Sequence, residues 1–127
     1  MFRILVGDND GHAKNVGILH LPGTDRLTDL YDAVPNLFQP DRIQWNMALA
    51  IDGEFDHRRL GAERILREVS SWRTMSRGRA EEIVTDTLSS FQDALNTVRM
   101  PRGVSDGLAD ALARTATRLQ EGVEIGG

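Results

Sequence analysis

The sequence predicts a mainly helical α+β domain with one or two small β-hairpins. From Leu60 onward, apolar residues recur at spacings of three and four, which is typical of helices that bury one face. Before that point, short apolar segments are separated by Pro-Gly and Asp-Gly pairs, which favour tight turns between strands. With 127 residues, of which 40% are hydrophobic and 27% charged, the chain is long enough for one soluble domain with its own core. We place this domain at residues 1–122 and a frayed tail at 123–127.

The first half of the chain indicates short elements joined by turns. The segment from Phe2 to Val6 is apolar and stops at Gly7, so it is either a strand or the last turns of a helix that ends at a glycine. Residues 16–20 and 26–32 favour two extended pieces on either side of the turn L-P-G-T-D, which predicts a hairpin.

A second hairpin is predicted after a proline-containing stretch. Two prolines between residues 33 and 41 disfavour a regular element there. The segment N-M-A-L-A-I-D-G-E-F-D, residues 46–56, predicts a strand that turns back at Asp52 and Gly53.

The second half predicts three helices with one apolar face each. The first carries a partial face of Leu60, Ile65, Leu66 and Val69. Ser76 is placed to cap a long second helix that ends near Met100–Gly103, with a face of Ile83, Val84, Leu88, Phe91, Leu95 and Val98. Ser105 is placed to cap the last helix, with a face of Leu108, Leu112, Ala116 and Leu119.

The composition excludes several classes of function. A formal net charge of −4 argues against general nucleic-acid binding through a basic surface. The absence of cysteine excludes disulfides and cysteine-based zinc sites. No apolar run is long enough for a membrane span or a signal peptide, so a cytoplasmic location is the default expectation.

The most informative segment is the loop G-D-N-D-G-H-A-K-N, which contains the only lysine of the chain, Lys14. Clusters of Asp, Asn and Gly usually form turns. A calcium loop fails because Gly17 stands where a bidentate glutamate is required. The three histidines, His12, His20 and His57, show no zinc spacing, and neither of the common glycine-rich nucleotide motifs occurs.

The spacing D-x-x-x-x-N of Asp10 and Asn15 fits the catalytic loop of protein kinases. There an aspartate holds the substrate hydroxyl and accepts its proton, and an amide oxygen coordinates magnesium. Lys14 is placed to meet the charge that builds on a transferred phosphoryl group. Asp32, seventeen residues beyond Asn15 and at the end of the predicted hairpin, is a candidate second magnesium ligand.

The segments G-D-N-D-G-H-A-K-N-V-G-I-L and R-L-T-D-L-Y-D-A together resemble the catalytic segment of HipA-type serine/threonine kinases, the toxins of HipA–HipB toxin–antitoxin modules. The later M-A-L-A-I-D-G and the helices after it also resemble the C-terminal region of that family. The resemblance implies a kinase C-lobe fold of HipA type, with ATP and Mg²⁺ as cofactors. It implies Asp10 as catalytic base, Lys14 acting on the phosphoryl group, Asn15 and Asp32 as magnesium ligands, and His12 bracing the cofactor-binding loop. Tyr31 is expected to pack, and Asp8 and Asn9 to serve as turn residues.

The resemblance also implies partners. HipA-type kinases carry an N-terminal lobe that covers ATP, which these residues do not match, so the chain is expected to show little turnover alone. Three interpretations stay open: one half of a split kinase, a truncated remnant, or a partner-binding module. The implied partners are a chain that supplies the missing lobe, a HipB-like antitoxin and a protein substrate with Ser or Thr, without direct contact to nucleic acid or membrane. We expect Phe2, Ile4 and Leu5 to be exposed, with self-association or a partner at that surface.

Overall fold

The computed structural model describes residues 1–38 and 43–122 and confirms the α+β class with small hairpins. The helices are α1 (Phe2–Val6), α2 (Ala62–Ser71), α3 (Arg77–Thr97) and α4 (Leu108–Glu121), and the strands are β1 (Ile18–Leu21), β2 (Thr24–Leu27), β3 (Asn46–Ile51) and β4 (Glu54–Asp56). Short 3₁₀ turns lie at Ala13–Asn15, Asn36–Phe38 and His57–Arg59. The predicted tail at 123–127 and residues 39–41 of the predicted irregular stretch lie outside the described residues.

The first apolar segment is a helix, and two of its five residues, Ile4 and Leu5, are buried. It ends at Gly7, whose φ of 72° is left-handed and whose N–H donates to the Ile4 carbonyl at 3.2 Å. The expectation that Ile4 and Leu5 are exposed is wrong, because α1 packs against α4 and leaves them only 9% and 0% exposed. Phe2 is exposed at 44%, as expected, although its ring meets that of Phe91 edge-on with 6.1 Å between centroids.

The core lies where α2, α3 and α4 meet, and α1 and β3 close it. Its buried apolar residues are Ile4, Leu5, Met47, Leu60, Ile65, Leu66, Ala80, Val84, Leu88, Ala116 and Leu119. In α3 the buried residues Ala80, Val84 and Leu88 recur every four positions, whereas Ile83 and Val98 of the predicted face are exposed. Among the described residues, no helix combines the length and the apolar character that a membrane crossing requires.

The two predicted helix caps have different outcomes. The Ser76 cap is confirmed, because its Oγ accepts a hydrogen bond from the Arg79 N–H at 3.2 Å. The Ser105 cap is wrong: α4 begins at Leu108, after Gly107 with a left-handed φ of 83°. The turn through Gly107 delays the helix, so Ser105 contributes its backbone carbonyl, which accepts from the Leu108 N–H at 3.3 Å.

Both predicted hairpins form, and they differ in how they are supported. The strands of the first are Ile18–Leu21 and Thr24–Leu27, where residues 16–20 and 26–32 were predicted, so its turn is tighter and its second strand ends earlier. In the first hairpin β1 pairs with β2, Leu21 stands opposite Thr24, and every residue of both strands is exposed. The second hairpin turns at the predicted Asp-Gly pair and lies against α2. There the Asp52 N–H donates to Glu68 Oε2 at 2.7 Å, and Arg67 Nε donates to Asp52 Oδ2 at 2.7 Å.

Candidate active site

The first hairpin connects the two parts of the candidate site. The D-N-D-G loop and its 3₁₀ turn precede β1, and the chain returns after β2 to Tyr31 and Asp32. The base of the hairpin is closed by Gly17 and Thr28, since the Thr28 N–H donates to the Gly17 carbonyl at 2.9 Å. Residues on either side of this closure are therefore brought together although they are far apart in the chain.

Asn15 and Asp32 are in direct contact across the base of the hairpin. Asn15 Nδ2 donates to Asp32 Oδ2 at 3.0 Å, and Asn15 Oδ1 accepts from the His12 N–H at 3.0 Å. Asn15 is buried and Asp32 is exposed. Asn15 is therefore held in place by its surroundings, whereas Asp32 is accessible to solvent.

The other predicted site residues lie on the same loop without contacting this pair through their side chains. Asp10 and Lys14 are exposed, and within the described residues their side chains make no hydrogen bond or ion pair. The Lys14 carbonyl accepts a hydrogen bond from the Tyr31 hydroxyl at 2.7 Å. Tyr31 is 44% exposed, so it restrains the loop through this bond and does not pack in the core. His12 is half-buried and contacts Asn15 through its backbone N–H and carbonyl.

Arg3 contacts both sides of the site, and no sequence pattern predicted this. From α1 its guanidinium forms an ion pair with Asp8 and donates to the carbonyls of Tyr31 at 2.5 Å and Asp32 at 2.9 Å. A longer bond of 3.4 Å reaches the Asn15 carbonyl. All but one of the Lys and Arg residues of the chain are arginines, so nothing in the sequence distinguishes this one.

Asp8 and Asn9 are turn residues, and both are buried. The Asp8 side chain, only 2% exposed, pairs with Arg3 and accepts the Asp10 N–H at 3.2 Å. The Asn9 carbonyl accepts from the Ala48 N–H at 2.7 Å, and its side-chain amide donates to the Gln44 carbonyl. These bonds fix the loop to the start of the second hairpin.

His57 anchors the helix that carries Arg3. It is 1% exposed, and its Nε2 lies 2.8 Å from the Ile4 carbonyl while its Nδ1 lies 3.0 Å from Arg118 Nη2. A carbonyl requires a donor and a guanidinium requires an acceptor, so the ring is neutral with its proton on Nε2. Burial is the main reason why the pKa of His57 is lowered to about 4. The hydrogen bond to the Ile4 carbonyl raises this pKa, and the positive charge of Arg118 lowers it.

Comparison with known proteins identifies the family. A family model described as the HipA-like C-terminal domain matches residues 1–95. The chain belongs to the HipA-like C-terminal domain family. No curated protein and no solved structure matches it significantly. The matched range of this HipA-like domain contains the whole candidate site, both hairpins and α2.

The donor set of the HipA-like domain fits magnesium bound together with phosphate. Within the described residues, no group of three or more His, Asp and Glu side chains could hold a metal. Mg²⁺ is typically held by one or two carboxylates plus water and substrate phosphates, and it prefers oxygen ligands. The Asn15–Asp32 contact uses one oxygen of Asp32, and the His12 bond uses one lone pair of Asn15 Oδ1, which has two. A second oxygen of Asp32 and a second lone pair of Asn15 are thus left for a cation.

Proposed function

We propose that the chain is the catalytic lobe of a HipA-like protein serine/threonine kinase that uses ATP and Mg²⁺. The observation that supports this best is the contact between Asn15 and Asp32, the two predicted magnesium ligands, whose side chains meet at 3.0 Å across the first hairpin. Their oxygens are ligands that suit a hard divalent cation. When bound, that cation would be held by Asn15 and Asp32 and would offset negative charge on the phosphates.

The exposed residues of the loop supply the remaining chemistry of the proposal. Asp10 holds the Ser or Thr hydroxyl of a protein substrate and accepts its proton as the hydroxyl oxygen bonds to the γ-phosphorus of ATP. The bond from that phosphorus to the β–γ bridging oxygen breaks in the same step, and ADP is the leaving group. Lys14 presents an ammonium group to the charge that develops on the phosphoryl oxygens. His12 holds the loop in place through its backbone bonds with Asn15. Both Asp10 and Lys14 are exposed, as groups that meet a large substrate have to be.

The proposal includes partners for the domain. A second lysine that would hold ATP phosphates from a neighbouring sheet has to come from residues outside this sequence, since Lys14 is the only lysine here. We therefore expect little turnover from these 127 residues alone. A HipB-like antitoxin is the proposed regulatory partner, in keeping with the HipA family, and the protein is proposed to act in the cytoplasm.

A non-catalytic interaction domain is the second candidate, and one observation favours it. Eight large apolar side chains between residues 16 and 34 are exposed, namely Val16, Ile18, Leu19, Leu21, Leu27, Leu30, Tyr31 and Val34. An apolar surface of this kind is typical of a binding surface. A module that only binds a partner would need this surface and would not need the Asn15–Asp32 pair.

Nucleotide binding distinguishes the two candidates. The melting temperature is measured with ATP and Mg²⁺, with ATP alone and with neither, because a ligand that binds only the folded state raises it. A kinase lobe predicts a rise that needs Mg²⁺, that is lost in Asp32→Ala, and that is retained in Asp86→Ala, a matched change at an exposed aspartate of α3. No nucleotide effect in the wild-type chain would favour the interaction domain.

A further inference from the structure

We propose that Arg3 is a positioning residue that holds Asn15 and Asp32 at the separation needed to present both to one divalent cation. The inference rests on the proposed function and extends it to a residue outside the kinase-like pattern. Arg3 itself contacts neither of the two metal-binding groups, since its bonds reach the Asp8 carboxylate and three backbone carbonyls.

The bonds of Arg3 join the two sides of the hairpin. On one side its guanidinium donates to the Asn15 carbonyl, and on the other to the carbonyls of Tyr31 and Asp32. The hairpin cannot fix this spacing well, because a two-stranded sheet exposed on all its residues is only marginally stable. The planar guanidinium of Arg3 bonds the backbone at both ends of the hairpin and therefore restrains the distance between them.

An arginine suits this role better than a lysine. Its planar guanidinium carries five N–H donors in a fixed arrangement, whereas an ammonium group is a compact charge with three rotatable donors. Asp8, whose side chain is only 2% exposed, pairs with Nη1 of Arg3, the nitrogen that also donates to the Asp32 carbonyl, and so restrains the guanidinium. The remaining donors of Arg3 therefore point towards the three carbonyls at once.

The backbone of Asp32 shows why the restraint matters. Its φ of 52° lies in the left-handed region, which non-glycine residues rarely adopt. Such a conformation persists only where the surroundings impose it. Because φ sets the direction of the side chain, the bonds of Arg3 to the carbonyls of Tyr31 and Asp32 also direct the Asp32 carboxylate towards Asn15.

Gly11 provides an independent way to disturb Arg3. A Cβ atom at Gly11 would lie 2.7 Å from Arg3 Cδ, which is too close for any carbon–carbon contact. Gly11→Ala therefore displaces the Arg3 side chain without substituting Asn15 or Asp32. Gly78→Ala is its control, since a Cβ there meets no atom of the described residues within 4 Å.

The first test follows the Asn15 carboxamide by NMR in the metal-free protein. Arg3→Lys and Gly11→Ala should shift the Asn15 Nδ2 resonances in the direction seen with Asp32→Ala. Arg79→Lys, a control at an exposed arginine of α3, and Gly78→Ala should leave them unchanged. If both Arg3→Lys and Gly11→Ala lower the melting temperature but keep the wild-type Asn15 resonances, Arg3 has only a structural role and the inference is overturned.

The second test titrates the same proteins with Mg²⁺ alone and with Mg²⁺ and ATP. Loss of a residue that orients a metal ligand typically weakens metal binding 10- to 100-fold, so we expect at least a tenfold loss in Arg3→Lys. Unchanged affinity together with shifted Asn15 resonances would overturn the inference. If the wild-type chain binds no Mg²⁺ although Arg3→Lys moves the Asn15 resonances, the positioning by Arg3 is supported and the kinase proposal fails.

Discussion

Acid should destabilise the domain through a single buried histidine, His57. The ring is neutral in the folded protein, with Nε2 donating to the Ile4 carbonyl and Nδ1 accepting from Arg118. A proton added to Nδ1 would break the second bond and place two positive charges next to each other. The perturbation is therefore a change of pH from 7.5 to 4.5, with no change in sequence.

The size of the effect follows from the two pKa values. His57 has a pKa of about 4 in the folded chain, against 6.5 ordinarily, so the unfolded state takes up the proton first. The free energy of unfolding is then highest above pH 6.5 and falls as the pH drops towards 4. The full difference corresponds to about 3 kcal/mol, of which about 2 kcal/mol is lost by pH 5. Since His57 is almost completely buried, solvent screening reduces this little.

Urea unfolding at several pH values measures this dependence directly. The slope between pH 6.5 and 4.5 should be largely absent in His57→Gln, which is less stable overall but has no group to protonate there. His20→Gln is the control, because His20 is exposed on the first hairpin and its ring contacts the exposed Asp25. Asp56, whose pKa is lowered to about 2 mainly by its bond to Arg58, loses its contribution at lower pH and does not interfere. Equal slopes in the wild-type chain and in His57→Gln would refute the reasoning.

Three further predictions concern the fold and its surface. Ser76→Ala should lower the free energy of unfolding by about 1 kcal/mol, and Ser105→Ala should leave it unchanged, as measured by urea unfolding. Leu5→Ala should cost about 2–5 kcal/mol, more than Phe2→Ala; a larger loss for Phe2 would contradict the packing of α1. Sedimentation velocity should show self-association at high concentration, and Leu27→Ser should reduce it because Leu27 is an exposed apolar residue of the first hairpin. A wild-type monomer at every concentration would count against self-association through this hairpin.

The sequence predicted those parts of the fold that depend on local patterns. Apolar spacing gave the long helices, and the Pro-Gly and Asp-Gly pairs gave both hairpins. The meeting of Asn15 and Asp32 followed the same logic, since a closed hairpin brings its flanking residues together.

The features that the sequence did not predict depend on distant or backbone partners. Ile4 and Leu5 are buried because α1 lies against α4, about a hundred residues later, and no local pattern contains that contact. Arg3 acts mostly on backbone carbonyls, which every residue has, so its partners carry no signature of residue type. The start of α4 depends on the left-handed turn at Gly107, which made Ser105 a misleading cap signal.

The most direct test of the metal site uses Mn²⁺ as a paramagnetic substitute for Mg²⁺ in the presence of ATP. Mn²⁺ broadens the NMR signals of nuclei close to it, so it reports where in the domain the cation lies. A cation held by Asn15 and Asp32 predicts selective broadening of the Asn15 carboxamide and the Asp32 amide, reversed by excess Mg²⁺ and lost in Asp32→Ala. Broadening elsewhere in the domain, or none at saturating nucleotide, would contradict the site.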